Sequence, residues 1–399
     1  MRKRQIREIV SILFLWIVAF LCGCNARSSP PPSKSINSPS PGTATPTETT
    51  VHHFPKGIIA FIGADGNVWL INADGSNKRR LTKDAKATGL DWSPDGHVLA
   101  FTVRIDGRSF ELHLYNVSDS IDNVALSGKA SEMFWDPEWS PDGRSLALLS
   151  WSRINDRLVP VLYSVRDNLK KNLTAIPLTY PTESGLLPPA SVRWSPDGKH
   201  LLIDTGCCAI RGIDVIDVEN GKTVYKGSAF SYAWSQDGTY LAIGKPQVVN
   251  PPLPAGNGKS SSLIVRDIEH GGIYTVATGT ARAMYLPVEW LSDESLLFEQ
   301  QPEPPDTISS YWIVSIKNGQ VGKPIRAKKI PPRYRRASLL ELLPADMRKP
   351  DTGCFSWSSD GRWVAFHTGH NPGNIYIFNL KGSTPPTRIA EGGCPLWQP

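Results

Sequence analysis

Charge is scarce in this chain. Only 20% of its 399 residues are Asp, Glu, Lys or Arg, against roughly 25% in an ordinary soluble domain. Half of the formal excess of +6 comes from Arg2, Lys3, Arg4 and Arg7 set against Glu8, all within the first 23 residues. The remainder is too weakly basic for a polycation built to wrap nucleic acid. Catalytic signatures are missing as well. There is no Gly-x-Ser-x-Gly elbow, His-Glu-x-x-His pair, Walker loop or dinucleotide fingerprint. The absence of the elbow argues against a serine hydrolase. The longest apolar run, Ile9 to Leu21, has 13 residues, short of the roughly 20 that span a bilayer as a helix. Proline, in contrast, is abundant at 34 residues, and long helices tolerate few prolines. An all-helical protein is not expected.

What is present begins with an address. A basic segment, Met1 to Arg7, precedes the short apolar run, and Leu21-Cys22-Gly23-Cys24 follows. The order matches a secretory leader. These four residues resemble the lipobox of bacterial lipoproteins. That resemblance implies a signal peptide over 1–23, acylation of Cys24, and an exported protein anchored in the bilayer on its extracytoplasmic face. From Asn25 to Thr50, 17 of 26 residues are Ser, Pro or Thr. Such a stretch cannot bury enough apolar surface to offset its ordering entropy. Residues 24–55 are therefore expected to be a lipidated Cys and a disordered tether.

The rest of the chain repeats. Asp91-Trp-Ser-Pro-Asp-Gly96 recurs as Glu138–Gly143, Arg193–Gly198, Ala233–Gly238, a decayed Glu289–Glu294, and Ser356–Gly361. The tryptophans stand at 92, 139, 194, 234, 290 and 357, a spacing suited to blades of four short strands. Ser-Pro-Asp-Gly suits a type I turn whose Gly takes positive φ to close a hairpin. Apolar runs such as Val98–Thr102, Leu146–Ser150 and Leu201–Thr205 follow each turn and read as buried second strands.

The first repeat lacks its Trp strand, and the C-terminus ends on a spare one, Gly393-Cys-Pro-Leu-Trp397. Donating that strand to the first blade would shut the ring and remove an exposed edge. The expected fold is all-β, a seven-bladed β-propeller over 56–399; six or eight blades also fit the longer intervals. The Trp-Ser-Pro-Asp-Gly repeat resembles the TolB-like branch of WD-type propellers. TolB itself carries an α/β domain before its propeller, which this chain replaces with a tether.

Chemistry-bearing residues are scattered. Asp95, Asp142, Asp197, Asp237 and Asp360 share one turn position and read as turn formers. His97 and His200 read as solvent-facing turn residues, and no metal site or cofactor is expected. His367 and His370 are the histidines best placed to approach a metal. Asp91, Glu138, Arg193 and Glu289 each precede a first-strand Trp and are expected to line a hydrated channel. Cys354 and Cys394 each stand three residues before a Trp, on adjacent blades, and would staple the closure if paired. Cys207 and Cys208 could pair with each other or elsewhere. Four cysteines allow three pairings.

One insertion, 326–349, holds eight basic side chains against Glu341 and Asp346. Lys328, Lys329, Arg333, Tyr334, Arg335 and Arg336 are its candidate partner-binding residues, and its Leu run suits a short helix on the rim. Together these features point to a monomeric, non-catalytic binding scaffold that engages a protein or glycan at the cell envelope. The bilayer is contacted through the N-terminal acyl anchor, and nucleic acid is not a partner. The alternative is a glycoside hydrolase or lyase whose carboxylates converge at the channel mouth.

Overall fold

The chain was analysed as a computed structural model. It describes residues 55–399 apart from 106–108, 129–131, 153–156, 178–189, 206–210, 248–259, 280–282, 303–308, 329–342, 349–351, 370–372 and 382–384. The leader, Cys24 and nearly all of the tether lie outside the described residues.

Short apolar strands separated by turns give consecutive antiparallel units. The first comprises β1 (Ile58–Gly63), β2 (Val68–Asn72) and β3 (Arg79–Arg80). The second is β4 (Lys86–Trp92), β5 (Val98–Ile105), β6 (Ser109–Asn116) and β7 (Ile121–Gly128). The third is β8 (Glu132–Trp139), β9 (Ser145–Ser152), β10 (Arg157–Ser164) and β11 (Leu169–Asn172), with β12 (Ile176–Pro177) also on β10. The fourth is β13 (Ser191–Trp194), β14 (His200–Asp204), β15 (Arg211–Asp217) and β16 (Thr223–Ala229). The fifth is β17 (Ser231–Trp234), β18 (Tyr240–Gln247), β19 (Ser260–Asp267) and β20 (Ile273–Ala277). The sixth is β21 (Ala283–Ser292), β22 (Ser295–Pro302), β23 (Ser310–Lys317), β24 (Gln320–Val321) and β25 (Ile325–Arg326). The last is β26 (Gly353–Trp357), β27 (Trp363–Thr368), β28 (Asn374–Asn379) and β29 (Thr387–Trp397).

The strand β29 serves two units. Its first half pairs with β28, Ile375 opposite Ala390, and its second half with β1, Ile59 opposite Trp397. The final strand thus completes the first unit, and the first and last units share one sheet. At four seams neighbouring units meet through their first strands: β4 with β8, β8 with β13, β17 with β21, and β26 with β29. First strands therefore gather at the centre, and the units radiate from them. The fold is a β-propeller.

The core lies between the sheets. Ala60, Leu70, Trp92, Leu99 and Phe101 fill the space between units one and two. Ile59, Phe61, Ala365, Ile375 and Trp397 do so between seven and one. Second strands face a sheet on either side, which is why they are near-continuous apolar runs. Leu146 to Leu149, for example, are wholly buried.

The repeated turn builds itself from its own sequence. In five units the Ser hydroxyl donates to the Asp carboxylate at 2.5–2.6 Å. The same carboxylate accepts the N–H two residues on, as His97 N–H to Asp95 Oδ1 at 3.0 Å. Glycines 96, 143, 198, 238 and 361 take φ of 65–76°, where a side chain would strain the backbone. Hydrogen bonds from the Ser93 hydroxyl and the His97 N–H hold the Asp95 carboxyl below its ordinary range. The five aspartates are turn formers in the structure. The decayed repeat closes differently: Ser292 pairs with Ser295 across a tighter hairpin. His200 also departs from expectation. It begins β14 rather than the turn, is buried, and stacks on Trp234 with ring centroids 6.3 Å apart.

The two edges of the propeller differ. First-to-second-strand turns are five residues each at 93–97, 140–144, 195–199, 235–239 and 358–362. Connections at the opposite edge range from Phe230 alone to 178–190, 248–259 and 327–352.

Candidate functional site

The seams between first strands carry the repeated polar chemistry. At three seams the residue before a first-strand Trp reaches into the next unit. Asp91 Oδ2 accepts the Trp139 N–H at 2.9 Å, Glu138 Oε1 the Trp194 N–H at 3.0 Å, and Ser356 Oγ the Trp397 N–H at 2.8 Å. At three tryptophans the indole N–H also crosses a seam, to the carbonyl of the residue before the previous unit's Trp. Trp92 bonds the Leu396 carbonyl, Trp194 that of Glu138 and Trp290 that of Ala233, each at 3.1 Å. Inner-strand N–H groups that the sheet cannot satisfy are thereby paired. Asp91 and Glu138, expected to line the channel, are instead ties between sheets. Glu289 holds the same place in β21.

Between units three, four and five these ties merge into an ionic network. Arg193 Nη1 lies 2.8 Å from Glu138 Oε2 and 3.2 Å from Asp136 Oδ2. Asp136 also accepts the Val192 N–H at 2.9 Å. On the next strands Arg211 Nη1 contacts Asp204 Oδ2 at 2.7 Å, and the Tyr232 hydroxyl approaches the same oxygen at 3.5 Å. Burial opposes the Arg193 charge, but the Glu138 and Asp136 carboxylates outweigh it and hold the guanidinium more firmly protonated. Burial, reinforced by Asp204, pushes the Tyr232 phenol above its ordinary range. Chemically the network is a set of charge-assisted hydrogen bonds. The carboxylates of Asp136 and Glu138 both rest on Arg193, so neither stands as a free acid opposite the other.

The candidate cysteines divide. Cys354 and Cys394 form a disulfide with Cα atoms 5.0 Å apart, within the usual range. Cys207 and Cys208 lie outside the described residues, as does His370. In the basic insertion Lys328 is exposed, while Lys329, Arg333, Tyr334, Arg335 and Arg336 lie outside the described residues. Its far end is anchored. Leu343 is 2% exposed and packs with Phe355, Trp357 and Phe366 of unit seven. A 3-10 turn, Ala345–Met347, follows it, and Arg348 Nε donates back to the Leu343 carbonyl at 2.8 Å. The Leu run expected to be helical falls outside the description except for Leu343.

Two features escaped the sequence reading. Asp136 has φ of 51°, a left-handed bulge that no local motif announces. His113 sits on the outer strands of unit two, its Nδ1 2.9 Å from Asp122 Oδ2 and its Nε2 3.2 Å from Glu111 Oε2. Burial works against its charge, yet Asp122 and Glu111 raise its pKa above the ordinary value. The Glu-x-His alternation on one strand face was the available signal.

No protein-family model and no curated protein matches the sequence. Among solved structures, TolB from Acinetobacter baumannii aligns at 17% identity and TM-score 0.43, over 88% of this chain and 69% of that one. The chain is similar to TolB in its propeller. The β-propeller domain of the Trilobed protease from Pyrococcus furiosus aligns at 14% identity and TM-score 0.45, over 78% and 86% of the two chains. A putative 6-phosphogluconolactonase from Bacteroides uniformis aligns at 10% identity and TM-score 0.44, over 86% and 99%. The propeller assignment rests on the strand pairing.

Proposed function

We propose that the protein is an exported, lipid-anchored scaffold that binds an envelope protein through the irregular edge of its propeller. The asymmetry between the edges carries this reading. One edge repeats a single self-sufficient turn, and the other concentrates every long connection. Binding residues are disproportionately found on such loops, held by a rigid frame. The polar residues nearest the centre support a non-catalytic role, because Asp91, Asp136, Glu138 and Arg193 are engaged in tying sheets together. A tether of Ser, Pro and Thr would hold the propeller off the bilayer, with a ceiling of roughly 80 Å at ~3.1 Å per residue.

The test is cross-linking and co-purification of the full-length acylated protein from native membranes. Variants would replace 178–189, 248–259 or 329–342 with Gly-Ser linkers. Leu343 and Arg348 stay in place, because they pack on unit seven. Loss of one specific protein with at least one replacement is the expected result. A partner lost only on substituting Arg144 and Lys199, at the regular edge, would move the site there. Capture of glycan without protein, or turnover of a polysaccharide, would overturn the reading in favour of a carbohydrate-directed one.

A further inference from the structure

Three donor side chains meet where the ring closes. Cys354 lies in β26, Cys394 in the second half of β29, and His367 in β27 directly across the hairpin from Gly353. Both cysteines take positive φ, 49° and 44°, as does Asp136 at the corresponding place in unit three. At Asp136 this left-handed bulge carries the side chain across the seam to the next inner strand. At Cys354 it does the same, and what it meets there is Cys394. Both sulfurs and a ring nitrogen of His367 lie within 4.8 Å of one another. Cys354 is buried and the other two are half-buried.

We propose that, once the disulfide is reduced, Cys354, Cys394 and His367 bind one thiophilic d10 cation, Zn(II) or Cu(I), across the closure seam. Reduction by a dithiol transfers two electrons and two protons: the reductant becomes a cyclic disulfide and the protein gains two thiols. Metal binding then releases both thiol protons, and the neutral imidazole contributes a lone pair. Thiolate donors favour Zn(II) and Cu(I) over Mg(II) or Ca(II). With Zn–S near 2.3 Å and Zn–N near 2.0 Å, donors in a tetrahedral site stand roughly 3.5–3.8 Å apart. The observed donor atoms, all within 4.8 Å of one another, lie near that spacing. Three protein donors suffice for Cu(I) and leave a fourth position for water on Zn(II). The closure would then be stapled covalently when oxidised and by metal when reduced. This inference does not depend on the binding-scaffold reading.

The test uses the full-length protein in detergent, in a Cys207→Ser/Cys208→Ser background that removes the other thiols of the propeller. Dithiothreitol is applied and removed anaerobically, and Zn(II) or Cu(I) is titrated against a chromogenic chelator, with Co(II) as a spectroscopic stand-in. One equivalent bound by the reduced protein and none by the oxidised protein is expected, with a thiolate-to-cobalt charge-transfer band. His367→Ala should weaken binding at least tenfold, and Cys354→Ser should abolish the band. Uptake by the oxidised protein, no uptake after reduction, or uptake unchanged in Cys354→Ser would overturn the proposal. Circular dichroism checks each variant. If Cys354→Ser unfolds, His367→Asn and His367→Ala decide alone, and unchanged affinity in both rejects the site.

Discussion

At the seam between units three and four, Glu138 accepts the Trp194 N–H, and Asp136 on its left-handed bulge accepts the Val192 N–H. At the seam between units seven and one, Ser356 accepts the Trp397 N–H, and Cys354 on the same bulge bonds Cys394. The backbone task is identical and the chemistry is not. The first seam joins strands 56 residues apart, whereas the second joins β26 to the C-terminal strand, 41 residues on, which also pairs with β1. A C-terminal strand is prone to fraying, and the disulfide ties this one to β26 by a covalent link, which limits the unfolded ensemble as a hydrogen bond cannot. The first seam instead carries an arginine that locks two carboxylates in place. Two positions in the repeat thus vary: the residue before the Trp is acid or hydroxyl, and the one three before it is acid or thiol.

The comparison can be broken most severely at the closure. Deleting residues 393–399 removes the strand paired with β1 together with buried Leu396 and Trp397. Loss of cooperative unfolding is expected, measured by circular dichroism against urea. A truncated chain that still unfolds in one sharp transition would show that closure is dispensable. At the other seam, Glu138→Ala should cost about 2–4 kcal/mol, because it takes the nearer of two carboxylates from Arg193 and strands the Trp194 N–H. Glu138→Gln should cost less in the same urea titration, since an amide oxygen still accepts. Ser356→Ala leaves one buried neutral donor without its acceptor and should cost about 1–2 kcal/mol. Equal losses at the two sites would mean that charge adds nothing to the clasp.

The smallest effect lies away from both seams, in two histidines of opposite behaviour. Burial lowers the pKa of His200, while Asp122 and Glu111 raise that of His113. His113 therefore contributes stability that is present below about pH 6.5, its unfolded value, and lost as pH rises through its folded value. His200 runs the other way. Stability falls as pH drops below about 6.5, because the unfolded chain takes the proton first. Imidazole resonances followed by NMR should titrate on opposite sides of that value. Two histidines titrating together would refute the assignment.

Much of the fold was legible because it is local. The Ser-Pro-Asp-Gly turns are held by hydrogen bonds spanning two to five residues, so the residues that form each turn also identify it. The apolar run after each turn is buried because it faces a sheet on both sides. The role of Asp91 and Glu138 was harder to read. Their polar character suggested a channel lining, and only the proximity of the next unit turns them into ties 48 and 56 residues long. His200 was misjudged for a related reason: its ring is covered by Trp234, from another sheet.

The sequence by itself determined the repeat, the turn chemistry and the spare C-terminal strand, since each depends on contacts within a few residues or on counting strands. Tertiary structure alone decided which partners face each other across a seam. It placed Asp136 against Arg193, made a pair of Cys354 and Cys394 among three open pairings, and brought His367 beside them. The first two outcomes rest on how neighbouring units pack against each other, which no local pattern encodes, and the third on the β26–β27 register that sets His367 opposite Gly353.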